Sequence, residues 1–369
     1  MKKYNIAVVP LDGVGKDVIP MGVEAMKKTQ RIVGGIDLEF QFYDAGFEYF
    51  LKNKKRMPDN FRADMEAADA MFCGSAGQFS PDIKPGDYPE YKVGGSMPSW
   101  LRGGMGNEIG LRPLVLLPGL ECPIKGVDKV DVALLRQLSE GGYSTPGKTI
   151  SNDCAYDVNI VTRRPTEAIA HHAFKLARNR NGRLMDGTKM VSVSVKQGAI
   201  AILDFYRKIF LEVHEHYKDI ELNFIQVDSL AEGIIKDASR FDVIVCESMF
   251  GDVLSDIGSF LTGGMGIAPT ADIGGITPHF RPNHGTFVRA VGKNFANPLA
   301  TFLTASLMLE VLGNDYDDDG LRAGARLIKQ GVQNYLASDA PRTRDIGGTA
   351  STDEAGKALM DSLDSVKLK

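Results

Sequence analysis

Residues 190–264 read MVSVSVKQGAIAILDFYRKIFLEVHEHYKDIELNFIQVDSLAEGIIKDASRFDVIVCESMFGDVLSDIGSFLTGG. The stretch contains three short runs of strand-forming residues, MVSVSV, LNFIQV and DVIVCES, and each run precedes a segment with the apolar spacing of a helix. Strands that alternate with helices in this way are typical of a parallel sheet with crossover helices. These residues therefore predict an α/β fold.

Charged residues follow each of these predicted strands. Lys196 comes after the first, Asp228 after the second, and Asp252 and Asp256 begin the helix after the third. Open α/β sheets place ligand-binding groups at the ends of strands. Asp252 and Asp256 are four residues apart, so their carboxylates lie on one helix face and repel each other unless a cation is present. Solvated acids at a helix start, an N-cap at Asp228 and a solvated loop lysine are the open alternatives.

The same alternation extends toward both ends of the chain. Tyr4–Val9 is a predicted strand, and residues 12–28 turn through glycines into a helix. Residues 298–313 and 351–363 predict two further helices.

Chain length indicates two domains, since 369 residues exceed the ~150 of one typical domain. We expect two α/β lobes around a mostly parallel sheet. The larger comprises residues 1–107 and 263–369, and the smaller comprises residues 108–262.

Composition excludes several classes of protein. With 43% apolar residues, 24% charged residues and a net charge of −4, the chain predicts a soluble globular protein without a basic field for nucleic acid or acidic membranes. No apolar run approaches the ~20 residues of a membrane span, and the N-terminal residues predict a strand instead of a signal peptide. The four cysteines are far apart and form no CxxC pair, which favours a cytoplasmic location without disulfides.

Three arginines and a tyrosine precede the opening stretch. Arg102 and Arg112 flank the glycine-rich segment LRGGMGNEIGLRP, and their spacing predicts similar sides of a helix. Arg136 and Tyr143 are in VALLRQLSEGGY, where Tyr143 packing under a hairpin is the alternative. Three guanidinium groups together with three carboxylates predict a site for a polyanionic acid bridged by a divalent metal.

Residues 142–149 match the phosphate-loop pattern GxxxxGK[ST]. A phosphate loop must lead into a helix whose N-terminus binds the anion. Residues 150–156, ISNDCAY, are β-prone instead. We therefore interpret residues 139–164 as an arm or hairpin.

Together these motifs resemble the β-decarboxylating dehydrogenases of 2-hydroxy acids, which include isopropylmalate, isocitrate, homoisocitrate, tartrate and D-malate dehydrogenases. The resemblance covers the whole chain. It is carried by IAVVPLDGVGKDV, LR(x9)RP, R(x6)Y, FGDVLSD, NHGT followed by GKNFANP, and DIGGTASTDE.

The resemblance implies an isopropylmalate dehydrogenase-like fold and metal-dependent oxidative decarboxylation of a malate-type acid with NAD or NADP. It also implies a homodimer with shared active sites and a β arm at its interface. The larger lobe would bind the cofactor, and the smaller would hold the substrate, the metal and the dimer interface. The residues implied are Arg102, Arg112 and Arg136 for substrate carboxylates, Lys196 and Tyr143 for proton transfer, and Asp228, Asp252 and Asp256 for Mg²⁺ or Mn²⁺. Lys196 and Asp228 would reach the site from the partner subunit.

The implied cofactor loop departs from the family pattern. His284, Gly285, Thr286 and Asn297 match cofactor-binding positions, as does Arg289. The family usually has Asp-Ile at positions 289 and 290 with NAD, or Lys-Tyr with NADP. A cation at Arg289 cannot accept hydrogen bonds from a ribose diol but can pair with a 2′-phosphate, which favours NADP.

The positions that match substrate-binding residues also depart from the family pattern. Ser96 matches a substrate-binding serine of isocitrate enzymes, but Pro98 occupies the usual Asn or Leu position. These residues therefore do not identify the substituent on C3 of the substrate. Arg281 and Asn283 replace a common Glu and Val, and Gly198 replaces the Asn that usually follows the lysine. These changes leave a non-catalytic regulatory or partner paralogue as the alternative.

Overall fold

Strands and helices alternate along most of the chain in the computed structural model, which describes residues 2–77, 80, 82, 87–92, 97, 100–144 and 147–367. The strands are β1 (Lys3–Val9), β2 (Asp37–Phe42), β3 (Ala70–Cys73), β4 (Ile109–Val115), β5 (Asp131–Gln137), β6 (Gly147–Ser151), β7 (Cys154–Asp157), β8 (Met190–Val195), β9 (Glu221–Gln226), β10 (Val243–Cys246), β11 (Pro269–Ile273) and β12 (His279–Pro282).

The helices connect and cover these strands. They are α1 (Gly15–Val33), α2 (Phe47–Asn53), α3 (Phe61–Glu66), α4 (Arg163–Asn179), α5 (Ala201–His214), α6 (Val227–Asp237), α7 (Ser248–Leu261), α8 (Leu299–Asp315), α9 (Asp319–Ala337) and α10 (Thr352–Asp364). Short helical turns lie at Pro89–Lys92, Trp100–Gly104, Ala238–Arg240 and Arg344–Ile346.

Ten strands form one sheet in the order β2-β1-β3-β12-β11-β4-β5-β10-β8-β9. Its outer pairings are parallel, which confirms the predicted α/β fold with a mostly parallel sheet. The central pairings β12–β11, β11–β4 and β4–β5 are antiparallel. Strands from residues 3–73 and 269–282 form one half of the sheet, and strands from residues 109–246 form the other. The two halves meet where β11 pairs with β4.

Helices cover the sheet and bury its apolar strands. Every residue of β8 and of β10 is buried, as expected for parallel strands that are packed on both faces. Helix α8 is also buried over most of its surface and contacts β11, β12, α1 and α9. Such a helix belongs to a core that it shares with other helices.

The predicted hairpin is present as β6 and β7, an antiparallel pair that forms its own two-stranded sheet. All described residues of both strands are exposed, including Ile150 at 63% and Tyr156 at 49%. Lys148 lies within β6, so it does not begin a helix as a phosphate-loop lysine must. The hairpin interpretation is confirmed.

Within the described residues, no helix is both long enough and apolar enough to cross a membrane.

Helix α7 lies directly on β4 because a glycine occupies the contact. A Cβ atom at Gly258 would lie 2.3 Å from Cδ1 of the buried Leu114. The helix begins at Ser248 because the Glu247 carboxylate accepts hydrogen bonds from the backbone N–H groups of Met249 (3.1 Å) and Phe250 (2.8 Å). The cap and the glycine together fix where α7 sits relative to the sheet.

We expect Gly258→Ala to destabilise the protein, although alanine is the better helix former. Overpacking against Leu114 costs about 1–3 kcal/mol, which exceeds the gain of about 1 kcal/mol in helix propensity. Urea unfolding measures the difference. In a Leu114→Ala background the new methyl group has room, so the same substitution should there be neutral or stabilising. An equal loss in both backgrounds would contradict this packing.

Candidate active site

The register of the central strands aligns charged side chains on one face of the sheet. Arg136 on β5 lies opposite Gly110 on β4, and Gly110 lies opposite Asp272 on β11. Asp272 in turn lies opposite His279 on β12. Because directly opposed residues project to the same face, Arg136, Asp272 and His279 form one row.

Two further arginines lie on this face because side chains alternate along a strand. Arg112 follows Gly110 by two positions on β4, and Arg281 follows His279 by two positions on β12. A Cβ atom at Gly110 would lie 3.3 Å from both Nη atoms of Arg112. The glycine therefore leaves space for a guanidinium group at the centre of the row.

Asp272 holds Arg102 and Arg112 together. Its Oδ2 accepts from Nε of Arg102 at 3.0 Å, and its Oδ1 accepts from Nη1 of Arg112 at 3.1 Å. Arg102 lies in the helical turn Trp100–Gly104, whereas Arg112 lies in β4. The prediction that both arginines share one side of a helix is therefore wrong. They converge because they bind the same buried carboxylate.

The environment keeps Asp272 ionised. Burial alone would raise its pKa, but the guanidinium groups of Arg112 and Arg102 outweigh burial and hold that pKa well below its usual range. Nδ1 of His279 lies 3.4 Å from Oδ2 of Asp272, and burial lowers the pKa of His279. Asp272 is thus the fixed anion of the row. It was missed from the sequence, where the one signal is an acidic residue inside the strand PTADI.

Arg136 links the row to the two aspartates of α7. Its Nη1 donates to Oδ1 of Asp252, and its Cζ lies 5.3 Å from the ring centroid of the exposed Tyr143. Asp256 lies one turn beyond Asp252 on the same helix, as predicted, and accepts from Nδ2 of Asn283 at 3.3 Å. Burial, followed by the charge of Asp252, raises the pKa of Asp256. A cation between the two carboxylates would relieve this repulsion.

Lys196 and Asp228 form a separate pair. Nζ of Lys196 lies 2.9 Å from Oδ1 of Asp228, and this hydrogen bond lowers the pKa of Asp228. Asp228 lies in the first turn of α6, where Gln226 is the N-cap residue, so the capping alternative is wrong. Within the described part of the chain, no three Asp, Glu, His or Cys side chains converge as a metal site. One chain therefore brings Asp252 and Asp256 together but does not add Asp228.

A second feature is a cavity of about 430 Å³ beside the loop that follows β12. It contains three of the predicted cofactor-binding residues, His284, Gly285 and Asn297. The complete lining is Val14, Met265, Gly266, His284, Gly285, Phe287, Phe295, Ala296, Asn297, Arg344 and Asp345. Arg289 is exposed and outside the lining.

The loop approaches the first turn of the fold through Thr286. Its carbonyl oxygen accepts from the backbone N–H of Val14 at 3.1 Å. Gly13, at φ +65°, permits this contact, since a Cβ atom there would lie 2.1 Å from that oxygen. The cavity wall is therefore built from both ends of the chain.

Asn297 is anchored within the cavity wall. Its Nδ2 donates to Oδ2 of Asp345 at 2.9 Å, and its Oδ1 accepts from the backbone N–H of Leu299 at 2.9 Å. Asp345 begins the DIGGT sequence that contributed to the family resemblance, but it was not singled out as a site residue. The two side chains join the start of α8 to the segment before α10.

Ser96 and Pro98, the positions predicted to choose the substrate, lie outside the described residues.

We expect Asp272→Ala to be strongly destabilising, because it leaves Arg112 and Arg102 beside a buried site without their counter-ion. Breaking a buried ion pair by removing one partner costs about 3–5 kcal/mol. Chemical unfolding of the variant measures the loss. Asp219→Ala, which removes the partner of the exposed Arg178, is the control and should change stability much less. Equal losses for both variants would contradict the role given to Asp272.

Comparison with known proteins identifies the family. The family described as "Isocitrate/isopropylmalate dehydrogenase" matches residues 5–359. The chain is 30% identical to a probable tartrate dehydrogenase/decarboxylase from Bacillus subtilis, over 98% of this chain and 99% of that protein. It is also 30% identical to a decarboxylating D-malate dehydrogenase from Escherichia coli, over 97% and 98% of the two chains.

A solved structure supports the same family. Isocitrate dehydrogenase from Methylococcus capsulatus superposes with a TM-score of 0.83 and 25% identity, covering 98% of this chain and 99% of that one. Sequence and structure thus lead to one conclusion: the chain belongs to the isocitrate/isopropylmalate dehydrogenase family.

Proposed function

We propose that this protein catalyses the metal-dependent oxidative decarboxylation of a malate-type 2-hydroxy acid, with NAD or NADP as hydride acceptor. The observation that carries the proposal is the meeting of two sets of charges. Arg102, Arg112 and Arg136 lie on one face of the sheet, and Arg136 contacts the aspartate pair of α7. A diacid and a divalent cation are the ligands that such sets attract.

Unpaired donors in the arginine row support a carboxylate ligand. Nη2 of Arg112 and Nε of Arg136 are buried and have no hydrogen-bond partner among the described residues. A buried donor without a partner costs about 1–3 kcal/mol. A substrate carboxylate would satisfy these donors with charge-assisted bonds, for which the guanidinium fork is well shaped.

The residues present fit the implied metal and cofactor. Asp252 and Asp256 offer the oxygen ligands that Mg²⁺ and Mn²⁺ prefer, and the cavity beside Thr286 could admit part of a nicotinamide nucleotide. When bound, the metal would polarise the C2 oxygen of the substrate and the nicotinamide would accept the hydride from C2.

Lys196 and Tyr143 would move the protons. Lys196 would take the proton of the C2 hydroxyl as the hydride leaves, so that the alcohol becomes a ketone. The bond between C3 and its carboxylate then breaks and CO₂ departs. The electron pair of that bond stays on the remaining fragment, which becomes an enolate. Tyr143 gives a proton to C3, and the nearby Arg136 stabilises the phenolate that results.

We further propose a homodimer in which each site uses residues of both subunits. The separation of Lys196 and Asp228 from Asp252 and Asp256 supports this, since one chain does not assemble all four. Exposed apolar residues on the hairpin and on α7 also support a dimer, because a second subunit would bury them. They include Ile150 and Tyr156 on the hairpin and Met249, Val253 and Phe260 on α7.

We assign the cofactor to the lobe of residues 1–107 and 263–369, and the substrate and metal to the lobe of residues 108–262. The cavity lining supports the first assignment, and the positions of Arg112, Arg136, Asp252 and Asp256 support the second. The exposed Arg289 favours NADP, because it can pair with a 2′-phosphate.

An initial-rate screen tests the reaction. Isocitrate, isopropylmalate, homoisocitrate, tartrate and D-malate are each offered with NAD or NADP and Mn²⁺. We expect reduced nicotinamide and CO₂ to form from at least one acid, with higher kcat/KM for NADP. Asp252→Asn, which removes one metal ligand, should abolish the rate. Metal binding without turnover of any acid would favour the non-catalytic paralogue instead.

A complementation experiment tests the shared site. Lys196→Met and Asp252→Asn homodimers should each be inactive. After the two are unfolded and refolded together, half of the dimers are mixed and each mixed dimer has one intact site. The mixture should therefore recover roughly a quarter of wild-type activity. No recovery, with mixed dimers demonstrated by mass spectrometry, would place Lys196 and Asp252 of each site in the same subunit.

A further inference from the structure

We infer that Arg281 is a fourth carboxylate-binding arginine of the active site, replacing the binding capacity that Asp272 takes from Arg102 and Arg112. The inference rests on the proposed function and specifies how this chain binds its diacid. The ligand it assigns to Arg281 is a carboxylate of a small dicarboxylate anion.

The sheet places Arg281 in the same row as the other arginines. Arg281 lies two positions after His279, on the strand that pairs with the strand of Asp272. It therefore shares the face of Arg112 and Arg136. On its other side β12 leads into His284 at the cofactor-binding cavity. Arg281 thus lies between the substrate arginines and the predicted cofactor loop.

The N–H donors of Arg281 are not all paired within the described part of the chain. Its Nη1 donates to the carbonyl oxygen of Pro282 at 3.2 Å, and its buried Nε has no hydrogen-bond partner within the described part of the chain. The residue as a whole is half-buried, so part of its side chain remains accessible to solvent. A partly desolvated guanidinium in this state is stabilised by an entering anion.

The charges around Arg281 are not balanced. Burial lowers the pKa of Arg281 to about 9, and the charges of Arg102, Arg112 and Arg136 act in the same direction while Asp272 opposes them. Asp272 already binds Nε of Arg102 and Nη1 of Arg112, and Asp252 binds Arg136. Asp256 also interacts with Arg112 and Arg136, so four guanidinium groups face three carboxylates and one positive charge is left for an entering anion.

Asp272 leaves fewer donors of Arg102 and Arg112 for a ligand. It accepts from Nε of Arg102 and from Nη1 of Arg112. Arg281 forms no salt bridge among the described residues, so its guanidinium adds a fork without a carboxylate partner to the same face. Loss of Arg281 should therefore weaken diacid binding.

The test uses whichever of the five acids the wild-type protein binds most tightly and measures its binding by calorimetry with Mn²⁺ and without nicotinamide. We expect Arg281→Gln to weaken binding roughly 10- to 100-fold, the loss expected for a charge-assisted hydrogen bond. Arg281→Lys should recover part of the affinity. Arg207→Gln is the matched control, because Arg207 on α5 is also half-buried with a buried, unpaired Nε among the described residues, yet lies over Phe224 away from the row.

A comparison of stability separates binding from a merely structural role. In urea, Arg281→Gln should unfold at about the same concentration as Arg207→Gln, so that lost affinity does not reflect lost folding. Unchanged affinity in Arg281→Gln, or a loss in Arg207→Gln as large as that in Arg281→Gln, would overturn the inference while wild-type binding leaves the proposed function standing. If the wild-type protein binds none of the five acids, both proposals fail. Arg281→Met repeats the comparison if Arg281→Gln unfolds.

Discussion

The ion pairs of Asp272 with Arg102 and Arg112 are the constraint on which the candidate site depends. Guanidinium groups on one sheet face repel each other and lose hydration, so the cluster needs a fixed anion. Asp272 supplies it with no exposed surface and with bonds of 3.0 and 3.1 Å. Because β11 and β4 belong to different halves of the sheet, the same contacts join those halves.

Small residues set the distances around this cluster. Gly110 leaves room for the guanidinium of Arg112, Gly258 seats α7 against β4, and Gly13 lets the loop at Thr286 approach the first turn. A Cβ atom added at any of these three glycines would lie within 3.3 Å of another group. The site thus depends on backbone approaches that larger side chains would prevent.

Local pattern made the α/β fold, the hairpin and the aspartates of α7 predictable, because periodicity and strand ends lie within short stretches of sequence. The placement of Arg102 was not predictable, since its glycine-rich segment has helical spacing but leads into β4. Asp272 was missed, and Arg281 was noted only as a departure from the family pattern, because the register of β11, β4 and β12 is what places both in the row. Asp228 stands apart from Asp252 and Asp256 because the set requires a second subunit under the proposed function.

A titration with Mn²⁺ followed by electron paramagnetic resonance tests most directly whether the arginine row and the α7 aspartates form one diacid–metal site. The protein is titrated alone and with each of the five acids, and the loss of the free Mn²⁺ signal gives the affinity. The account predicts one Mn²⁺ per subunit, bound more tightly when at least one of the acids is present. Mn²⁺ binding that all five acids leave unchanged, or no Mn²⁺ binding at all, would contradict it.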